Sequence, residues 1–247
     1  MEFKDKVVIV TGGSCGIGAE TAIQFAKQSA KVVIVGRNEE KLREVAKQCE
    51  THSKALAVNA DLTNDSEVKR VVEETIKRFG QIDVLINNAG IVKNTKVEEG
   101  ISDYDKIFNT NLRSVYLLTS LAVPHLIKTK GNIINISSAA GQKIFRTLTV
   151  YSMSKAALDM FTKGLAVELA PSVRANSINP GPVKTDIWVH AGLKGGETVM
   201  DTYGAATLLG KCSVCKEIAD MALYLASDKA NSITGSTFVI DNGIMLK

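Results

Sequence analysis

Short apolar runs rich in β-branched residues alternate with longer helical patterns along this 247-residue chain. The runs are apolar at successive positions, which is typical of strands that are covered by helices on both sides. Alternating strands and helices imply right-handed crossovers and a parallel sheet. We therefore expect an α/β fold in which residues 1–247 form a single doubly wound domain, with helices on both faces of the sheet. The runs predict a seven-stranded parallel sheet from residues 6–12, 30–37, 54–61, 83–90, 131–138, 173–181 and 236–243.

Helical patterns fill the spaces between these strands. Asn38 is a typical N-cap residue, Pro124 lies inside a long helical region, and Pro171 ends the helix that contains Tyr151. In a doubly wound sheet, ligands bind outside the carboxyl ends of the strands, so polar residues there are site candidates. The predicted helices span residues 16–29, about 39–48, about 65–79, 102–129 and 151–170.

The composition excludes several classes of partner. Hydrophobic residues make up 45% of the chain, charged residues 23%, and the net charge is +4 without any Lys/Arg block, so we expect no nucleic-acid partner. No apolar run approaches the ~20 residues of a membrane span, and the N-terminus lacks the apolar core of a signal peptide. We therefore expect no membrane partner and a cytoplasmic location.

The four cysteines are too sparse for a disulfide scaffold. The CSVC stretch at Cys212–Cys215 has the spacing of a redox pair or half a zinc site, but the chain contains no second pair and its three histidines are scattered. We predict no metal site. The two thiols are expected to be free at the start of a helix that Ser213 caps.

A glycine-rich loop, TGGSCGIG at Thr11–Gly18, follows the first predicted strand and opens the first helix. Gly12 permits a sharp turn, whereas Gly16 and Gly18 let the backbone approach a pyrophosphate and let the helix pack on the strand. The unpaired N–H groups at the start of the helix favour an anion there. The alternative is a tight glycine turn that binds no ligand.

The end of the second strand indicates which nicotinamide cofactor is bound. An NAD site usually has a carboxylate here for the ribose 2′-hydroxyl, but this strand ends in Gly36 followed by Arg37. A guanidinium matches a phosphate, so we predict NADP(H), with NAD(H) as the alternative. Glu39 and Glu40 are expected to interact with the dipole of the next helix rather than with the cofactor. A solvated surface arginine is the alternative interpretation of Arg37.

Further motifs follow in order: Asp61-Leu62, Asn87-Asn88-Ala89-Gly90, Asn111, Ser138, Tyr151-xxx-Lys155, Pro180-Gly181 and Thr185. Together with the TGxxxGxG form of the glycine loop, they make the chain resemble the short-chain dehydrogenase/reductase family over nearly its whole length. The members that it resembles most are 3-oxoacyl-carrier-protein reductases and carbonyl reductases. The resemblance implies a Rossmann-type domain with a nicotinamide cofactor and a catalytic set of Asn111, Ser138, Tyr151 and Lys155. The predicted cofactor-binding residues are Gly12, Ser14, Cys15, Gly16, Ile17, Gly18, Arg37, Asp61, Leu62, Asn88, Ala89, Gly90, Tyr151, Lys155, Pro180, Gly181, Val183 and Thr185.

The chain departs from the family pattern in two places. Asp241-Asn242-Gly243 stands where Asp-Gly-Gly is usual, which affects a tight turn. Cys15 stands where many NADP-using members carry a basic residue, so Arg37, with help from Ser14, would hold the 2′-phosphate.

Tyr151 and Lys155 lie four residues apart, on one face of the predicted helix. A nearby positive charge lowers the pKa of a phenol from its usual value near 10, so we expect Lys155 to lower the pKa of Tyr151. The resemblance implies that Tyr151 donates the proton in carbonyl reduction, Ser138 hydrogen-bonds the carbonyl, Lys155 binds the ribose hydroxyls and Asn111 positions a water. The alternative is a half-buried Tyr151 with Lys155 extended past it to solvent.

Two segments are expected to flank the substrate: residues 139–149 and a glycine-containing lid at about 185–210. Both segments contain apolar residues that could form the wall of the substrate pocket, which are Ile144, Phe145, Trp188, Leu193 and Met200. They also carry cations that are either solvated or face an acidic or carrier-bound substrate, which are Lys143, Arg146 and Lys194.

The predicted function is NADPH-dependent reduction of a small to medium apolar ketone or aldehyde, or oxidation of the corresponding alcohol. The alternatives are an NAD-dependent alcohol or hydroxysteroid dehydrogenase, a 3-oxoacyl-thioester reductase and a non-catalytic nucleotide-sensing protein. The resemblance also implies a homotetramer or homodimer, in which the catalytic helix and its neighbour pack against a second subunit.

Overall fold

The structure is a computed structural model that describes residues 2–185, 187 and 196–247. Seven parallel strands form one sheet in the order β3-β2-β1-β4-β5-β6-β7. The predicted fold class is confirmed. The strands are β1 Val7–Thr11, β2 Lys31–Gly36, β3 Ala55–Asn59, β4 Val84–Asn87, β5 Asn132–Ile136, β6 Arg174–Pro180 and β7 Thr237–Ile240.

Helices cover both faces of the sheet. Val8 and Val10 of β1 point to one apolar core, and Val7 and Ile9 point to the other, as the two-residue period of a strand requires. The first core is completed by α1, α2 and α8, and the second by α3, α5 and α6. The helices are α1 Gly16–Lys27, α2 Glu39–Glu50, α3 Asp65–Phe79, α4 Ser102–Phe108, α5 Ser114–Thr129, α6 Thr149–Leu169, α7 Gly196–Ala205 and α8 Cys215–Ala226.

The long helix predicted over residues 102–129 is interrupted. A π-helical turn at Asn109–Arg113 separates α4 from α5, and Pro124 lies inside α5. Such a turn widens the helix locally and is common at functional sites. Asn111 lies within it and is fully buried.

The predicted cap of α8 is wrong. The N-cap residue is Val214, whose N–H donates to Glu217 Oε2 at 2.9 Å, so the glutamate of the first turn takes the role expected of Ser213. The Ser213 hydroxyl instead accepts a hydrogen bond from Asn242 Nδ2 at 2.9 Å. The four cysteines form no disulfide with one another.

Asn242 explains how the chain accommodates its departure from the family pattern near the C-terminus. Its φ of 51° lies in the left-handed region, which glycine adopts freely and asparagine adopts more readily than most residues. The bond from its side chain to Ser213 holds this conformation. Asparagine therefore preserves the turn in which glycine is usual.

The described residues also bear on membrane spans and on metal sites. None of the described helices has the length and apolar character that crossing a membrane requires. The same residues bring no three metal-ligating side chains together.

Candidate active site

The carboxyl ends of β1, β4, β5 and β6 meet at one edge of the sheet. The chain order reverses between β1 and β4, which opens a crevice there. The glycine loop leaves β1, the Asn88–Gly90 segment leaves β4, Ser138 follows β5, and Pro180-Gly181 ends β6. The topology therefore gathers the predicted motifs around one crevice.

The glycine loop is packed closely against the segment that follows β4. Asn88 Nδ2 donates to Thr11 O at 2.8 Å and to Gly12 O at 3.3 Å. Thr11 Oγ1 accepts from the backbone N–H groups of Asn88 and Ala89. A Cβ on Gly12, whose φ is +63°, would lie 2.8 Å from Asn88 Nδ2, and one on Gly18 would lie 2.3 Å from Gly12 O. The loop conformation thus depends on glycine at both positions.

The crevice fits a pyrophosphate. Cys15 stands at the N-cap of α1, and because a thiol is a weak acceptor, the first-turn N–H groups remain for an anion. A Cβ on Gly16 would lie 3.2 Å from Thr185 Cγ2, so Thr185 lies beside the loop. Ile17 turns inward against the core. The glycine cradle and the open helix terminus are therefore suited to the diphosphate of a dinucleotide.

The residues predicted for the adenosine end lie beside β2 and β3. Arg37 is exposed after β2, and its charge is one of the causes that lower the pKa of Asp61, after a backbone hydrogen bond from Thr63. Leu62 is packed in the core. Glu39 pairs with Arg43 on the same helix, as expected from its place in the first turn of α2.

Ser14 lies close to Gly36, because a Cβ on that glycine would be 3.3 Å from Ser14 Oγ. Gly181 packs closely against Asp241, because a Cβ added to Gly181 would lie 2.7 Å from the Cα of Asp241. Val183, two residues further on, is buried. Ser14 and Arg37 thus follow the two strand ends where a 2′-phosphate would be bound.

Tyr151 is buried in an apolar cluster on the substrate side of the crevice. The cluster contains Val92, Ala140, Leu148 and Tyr151, with Phe145 and Ile187 packed against it. Burial raises the pKa of the Tyr151 phenol to about 12, although a hydrogen bond with the Ser138 side chain lowers it. Lys155 is not among the causes of this shift, so in the protein chain by itself the pKa of Tyr151 is raised by burial rather than lowered by Lys155 as predicted.

Lys155 is buried beside the glycine that ends the Asn88–Gly90 segment. Its Nζ donates to Ile136 O at 2.9 Å, and a Cβ on Gly90 would lie 3.5 Å from Nζ. An ammonium has three donors, so this bond leaves others for ribose hydroxyls. Burial lowers the pKa of Lys155 to about 8, and the charge of Asp159 raises it. The side chain points into the protein rather than out to solvent, contrary to the surface alternative.

Asn111 is fixed by its position in the π-helical turn. Its Oδ1 accepts from Ile91 N at 2.8 Å, and its Nδ2 donates to Ile91 O at 2.9 Å and to Ser154 Oγ at 3.2 Å. The amide therefore ties the turn to the segment after β4 and to the catalytic helix. These bonds occupy the side chain, so a water near Lys155 would have to be held by another group, such as the backbone of the turn.

A chain of buried polar groups lies beneath the site and was missed by the sequence analysis. Asn87 Nδ2 donates to Thr119 Oγ1 at 3.1 Å and to Asn135 Oδ1 at 2.9 Å, and Asn135 Nδ2 donates to Thr162 Oγ1 at 2.8 Å. Asp159 and Asn179 form a second buried pair. The available signal was asparagine within otherwise apolar strands, where buried polar groups need partners.

The predicted substrate-side residues differ in their surroundings. Ile144 is 66% exposed, whereas Phe145 packs against the Tyr151 cluster. Lys143 Nζ donates to Ile244 O at 3.2 Å and Met245 O at 3.4 Å, so this cation holds the C-terminal turn. Arg146 is exposed. Trp188, Leu193 and Lys194 lie outside the described residues, as does the side chain of Met200.

Comparisons with known proteins agree with this geometry. A family model described as enoyl-(acyl carrier protein) reductase matches residues 12–245. The 3-oxoacyl-(acyl-carrier-protein) reductase of Thermotoga maritima is 34% identical over 100% of both chains. A short-chain dehydrogenase/reductase of Caenorhabditis elegans, solved with a cofactor, has a TM-score of 0.95 at 35% identity, with 100% of this chain and 97% of that chain covered. The chain belongs to the short-chain dehydrogenase/reductase family.

A further family structure is that of L-sorbose reductase from Gluconobacter frateurii, complexed with NADPH and L-sorbose. Its TM-score is 0.93 at 29% identity, with 100% of both chains covered. Members of the short-chain dehydrogenase/reductase family are oxidoreductases that act on alcohol and carbonyl groups with a nicotinamide cofactor. The predicted family is confirmed, and this chain is one of its oxidoreductases.

Proposed function

We propose that this protein is an NADPH-dependent reductase of small to medium apolar ketones or aldehydes. The observation that carries the proposal is the group formed by the half-buried Ser138 and the buried Tyr151 and Lys155 at the edge of a glycine-lined crevice. The chemistry that a bound nicotinamide supplies is hydride transfer to the carbonyl carbon. The catalytic and cofactor-binding residues named from the sequence are retained in this proposal.

Three side chains supply the proton and stabilise the charges that develop in the reaction. Tyr151, with its pKa raised to about 12, is a protonated phenol at neutral pH and donates its proton to the carbonyl oxygen. The Ser138 hydroxyl donates a hydrogen bond to the same oxygen and stabilises its developing negative charge. Lys155, positively charged below about pH 8, stabilises the phenolate that the proton transfer leaves behind.

The surroundings of Tyr151 support an apolar substrate. Val92, Leu148 and Phe145 pack with Tyr151 in one apolar cluster. Lys143, a candidate for binding an acidic substrate, is engaged by backbone carbonyls of the C-terminal turn. An apolar wall favours ketones and aldehydes over sugars or strongly anionic compounds. The 3-oxoacyl-thioester reductase function remains a second candidate, because the Thermotoga maritima relative bears that name.

The test is oxidation of NADPH and NADH, followed at the nicotinamide absorbance, against a panel of carbonyl compounds. The panel contains diketones, aromatic aldehydes, 3-oxoacyl thioesters and 3-ketosteroids. Turnover of apolar ketones or aldehydes with NADPH supports the proposal. Turnover of thioesters alone would favour the second candidate, and better turnover with NADH would favour the NAD-dependent dehydrogenase. Cofactor binding without any turnover would favour a nucleotide-sensing protein.

Arg37 is the residue that we expect to select NADPH. In an Arg37→Gln variant, the KM for NADPH should rise about 10- to 100-fold, because charge-assisted hydrogen bonds to the 2′-phosphate are lost. The KM for NADH should stay within about 2-fold, because NADH lacks that phosphate. Steady-state kinetics with both cofactors measures the two effects.

Arg43→Gln is the matched control, since Arg43 is also an exposed arginine but pairs with Glu39 on α2. It should leave both KM values unchanged. Equal changes with both cofactors in the Arg37 variant would contradict the assignment of NADP(H).

We also propose that α5 and α6 pack against a second copy of the chain, in a homodimer or homotetramer. Large apolar side chains on these helices are exposed, including Tyr116, Met160 and Val167. Tyr116 and Phe161 lie 5.4 Å apart between ring centroids and line a shallow cavity between the helices. Exposed apolar surface of this kind is typical of subunit contacts.

Val167→Glu should shift the protein toward the monomer, because Val167 is 81% exposed on α6 and a charge there would be buried in the contact. Light scattering coupled to size-exclusion chromatography measures the mass. Val97→Glu is the control, since Val97 is 80% exposed but lies outside α5 and α6. A monomeric wild-type protein would refute the subunit contact.

The organisation of the chain completes the proposal. Residues 1–247 act as one cofactor-binding and catalytic domain with a substrate lid at about 185–210, of which residues 186 and 188–195 lie outside the residues that the structure describes. Thr185 beside Gly16 supports this, because it joins the start of the segment to the cofactor crevice.

A further inference from the structure

A carboxylate lies inside the protein one helical turn beyond the catalytic lysine. Asp159 is only 8% exposed and follows Lys155 by four residues on α6. A buried carboxylate is costly unless it is paired or hydrogen-bonded. The contacts of Asp159 lead to the two catalytic residues on either side of it.

One contact leads to the backbone of the catalytic serine. Asn179, fully buried at the end of β6, donates from Nδ2 to Asp159 Oδ2 at 2.7 Å. The same Nδ2 donates to Ser138 O at 3.0 Å. Asp159 orients the amide so that its two donors hold the carboxylate and the serine carbonyl together.

A second contact joins the neighbouring residue of β5 to the helix. Ser137 Oγ donates to Lys155 O at 3.1 Å, and the Ser137 side chain also lies close enough to Asp159 to lower the pKa of that carboxyl. Ser177, on β6, donates from Oγ to Thr237 Oγ1 at 3.1 Å and likewise lowers the pKa of Asp159. Asp159 thus links both strands that lead into the site with the helix that carries Tyr151 and Lys155.

The turn that begins at Ser138 rests directly on this carboxylate. Ser138 Oγ accepts from Ala140 N at 3.1 Å, and Ser138 O accepts from Gly141 N at 2.9 Å. A Cβ on Gly141 would lie 2.9 Å from Asp159 Oδ2 and 3.0 Å from the carbonyl carbon of Lys155. The contact between Gly141 and Asp159 therefore determines how closely the turn after Ser138 approaches α6.

We propose that Asp159 is a positioning residue that fixes Ser138 against the catalytic helix through Asn179 and Ser137, and supports the positive charge of Lys155. This inference rests on the proposed function, because it concerns the same reaction. Asp159 itself lies beneath the site and acts through the residues that face the substrate.

The effect of Asp159 on the charge of Lys155 follows from the groups that face Lys155. Two of these groups, Tyr151 and Asp159, lie on α6 with Lys155. The others are the carbonyl of Ile136 from β5, the backbone of Gly90 after β4, and the side-chain amide of Asn111 from the π-helical turn. Burial lowers the pKa of Lys155 to about 8, and the carboxylate of Asp159 opposes this effect. Removing that charge should lower the pKa of Lys155 further.

The groups that face Asp159 itself are mostly neutral. β5 brings Ser137, β6 brings Ser177 and Asn179, and the turn after β5 brings Gly141. On its own helix, Lys155 lies one turn before Asp159, and Lys163, one turn after it, lines the same open cavity as Asp159. Burial raises the pKa of Asp159, whereas the serine and asparagine side chains and the charge of Lys155 lower it. Asn179 donates to Oδ2, whereas the buried Oδ1 has no hydrogen-bond partner among the described residues. The bond to Oδ2 favours the ionised form of Asp159.

The first experiment measures the protonation of Lys155 without any turnover. Lysine amines of the full-length protein are labelled with acetic anhydride from about pH 6 to about pH 11, and mass spectrometry follows the peptide that contains Lys155. In Asp159→Asn, the labelling midpoint should shift to lower pH by about one unit or more, because a charge within one helical turn is lost. Asn179→Ala, which keeps the carboxylate, should leave the midpoint unchanged.

The second experiment separates positioning from stability by kinetics. Asp159→Asn and Asn179→Ala should each lower kcat for carbonyl reduction about 10-fold or more, with the KM for NADPH within about 2-fold, because Ser138 is displaced. The alkaline limb of the pH profile should move to lower pH in Asp159→Asn only. Glu168→Gln, an exposed carboxylate variant on the same helix, should change none of these quantities.

An unmoved Lys155 midpoint in Asp159→Asn, or a wild-type kcat in Asn179→Ala, would overturn the inference. Lower thermal stability with unchanged kcat and midpoint would likewise leave only a structural role and overturn it. A shifted midpoint in a protein that reduces no carbonyl would overturn the proposed function and retain the action of Asp159 on Lys155. If Asp159→Asn does not fold, the kcat of Asn179→Ala decides the positioning role.

Discussion

The Tyr151→Phe protein is expected to lose about 10²- to 10⁴-fold in kcat for carbonyl reduction, while still binding NADPH. General acid catalysis by a positioned side chain contributes an effect of this size, equivalent to about 3 to 5 kcal/mol of transition-state stabilisation. The ring of the phenylalanine would stay in the apolar cluster with Val92 and Leu148, so the crevice should keep its shape. The hydroxyl removed is the group that hydrogen-bonds Ser138.

Two measurements test this expectation: kcat from steady-state kinetics, and the Kd for NADPH from a binding titration. Tyr104→Phe is the matched control, because Tyr104 stacks on Phe108 in α4, away from the crevice. It should retain the wild-type kcat. A Tyr151→Phe protein with kcat within about 10-fold of wild type would mean that another group, such as a water, donates the proton.

The Gly18→Ala protein is expected to bind NADPH about 100-fold more weakly or worse. The added Cβ would lie 2.3 Å from Gly12 O and 2.5 Å from Asn88 Nδ2. Because the first of these atoms is backbone, the glycine loop must shift, and Asn88 must release Thr11 O or Gly12 O. A displaced loop no longer directs the N–H groups of α1 at the pyrophosphate.

A 100-fold increase in the Kd for NADPH corresponds to a loss of about 2.8 kcal/mol in binding free energy. We also expect the free energy of unfolding to fall by about 1 to 3 kcal/mol, as is typical of overpacked sites. Isothermal titration calorimetry gives the first quantity, and denaturant unfolding gives the second.

Gly164→Ala is the control for the change of residue type. Gly164 lies inside α6, and a Cβ added to it would have no atom of the described residues within 4 Å, apart from the backbone of its own helix. Alanine is the better helix former by about 1 kcal/mol, and Gly164 is remote in sequence from the glycine loop, so this variant should keep the wild-type affinity for NADPH. Wild-type affinity in Gly18→Ala would refute the glycine cradle as the phosphate site.

The fold could be predicted from sequence because its signals are local. Each strand is a short apolar run between turn residues, and the buried strands of a parallel sheet need no alternation. The predicted strands extended beyond the observed ones; residues 83–90, for example, shorten to Val84–Asn87. Strand ends depend on where pairing with a neighbouring strand stops, which no local pattern specifies.

Other features depended on contacts between distant segments. The π-helical turn around Asn111 is closed by bonds to Ile91 and Ser154, which are 20 and 43 residues away. Ser213, predicted to cap α8, instead accepts a hydrogen bond from Asn242, which is 29 residues away. A helical period can predict that residues 102–129 form a helix but not that the helix widens in the middle.

By itself, the sequence determined the doubly wound sheet, the glycine loop and the order of the motifs along the chain. Only the tertiary structure decided the protonation of the site: burial raises the pKa of Tyr151 to about 12 and lowers that of Lys155 to about 8. It also brought Asp159 and Asn179 together beneath Ser138. The physical reason is that desolvation and long-range hydrogen bonding are set by segments far apart in the chain, whereas strand and helix signals lie within a few residues of each other.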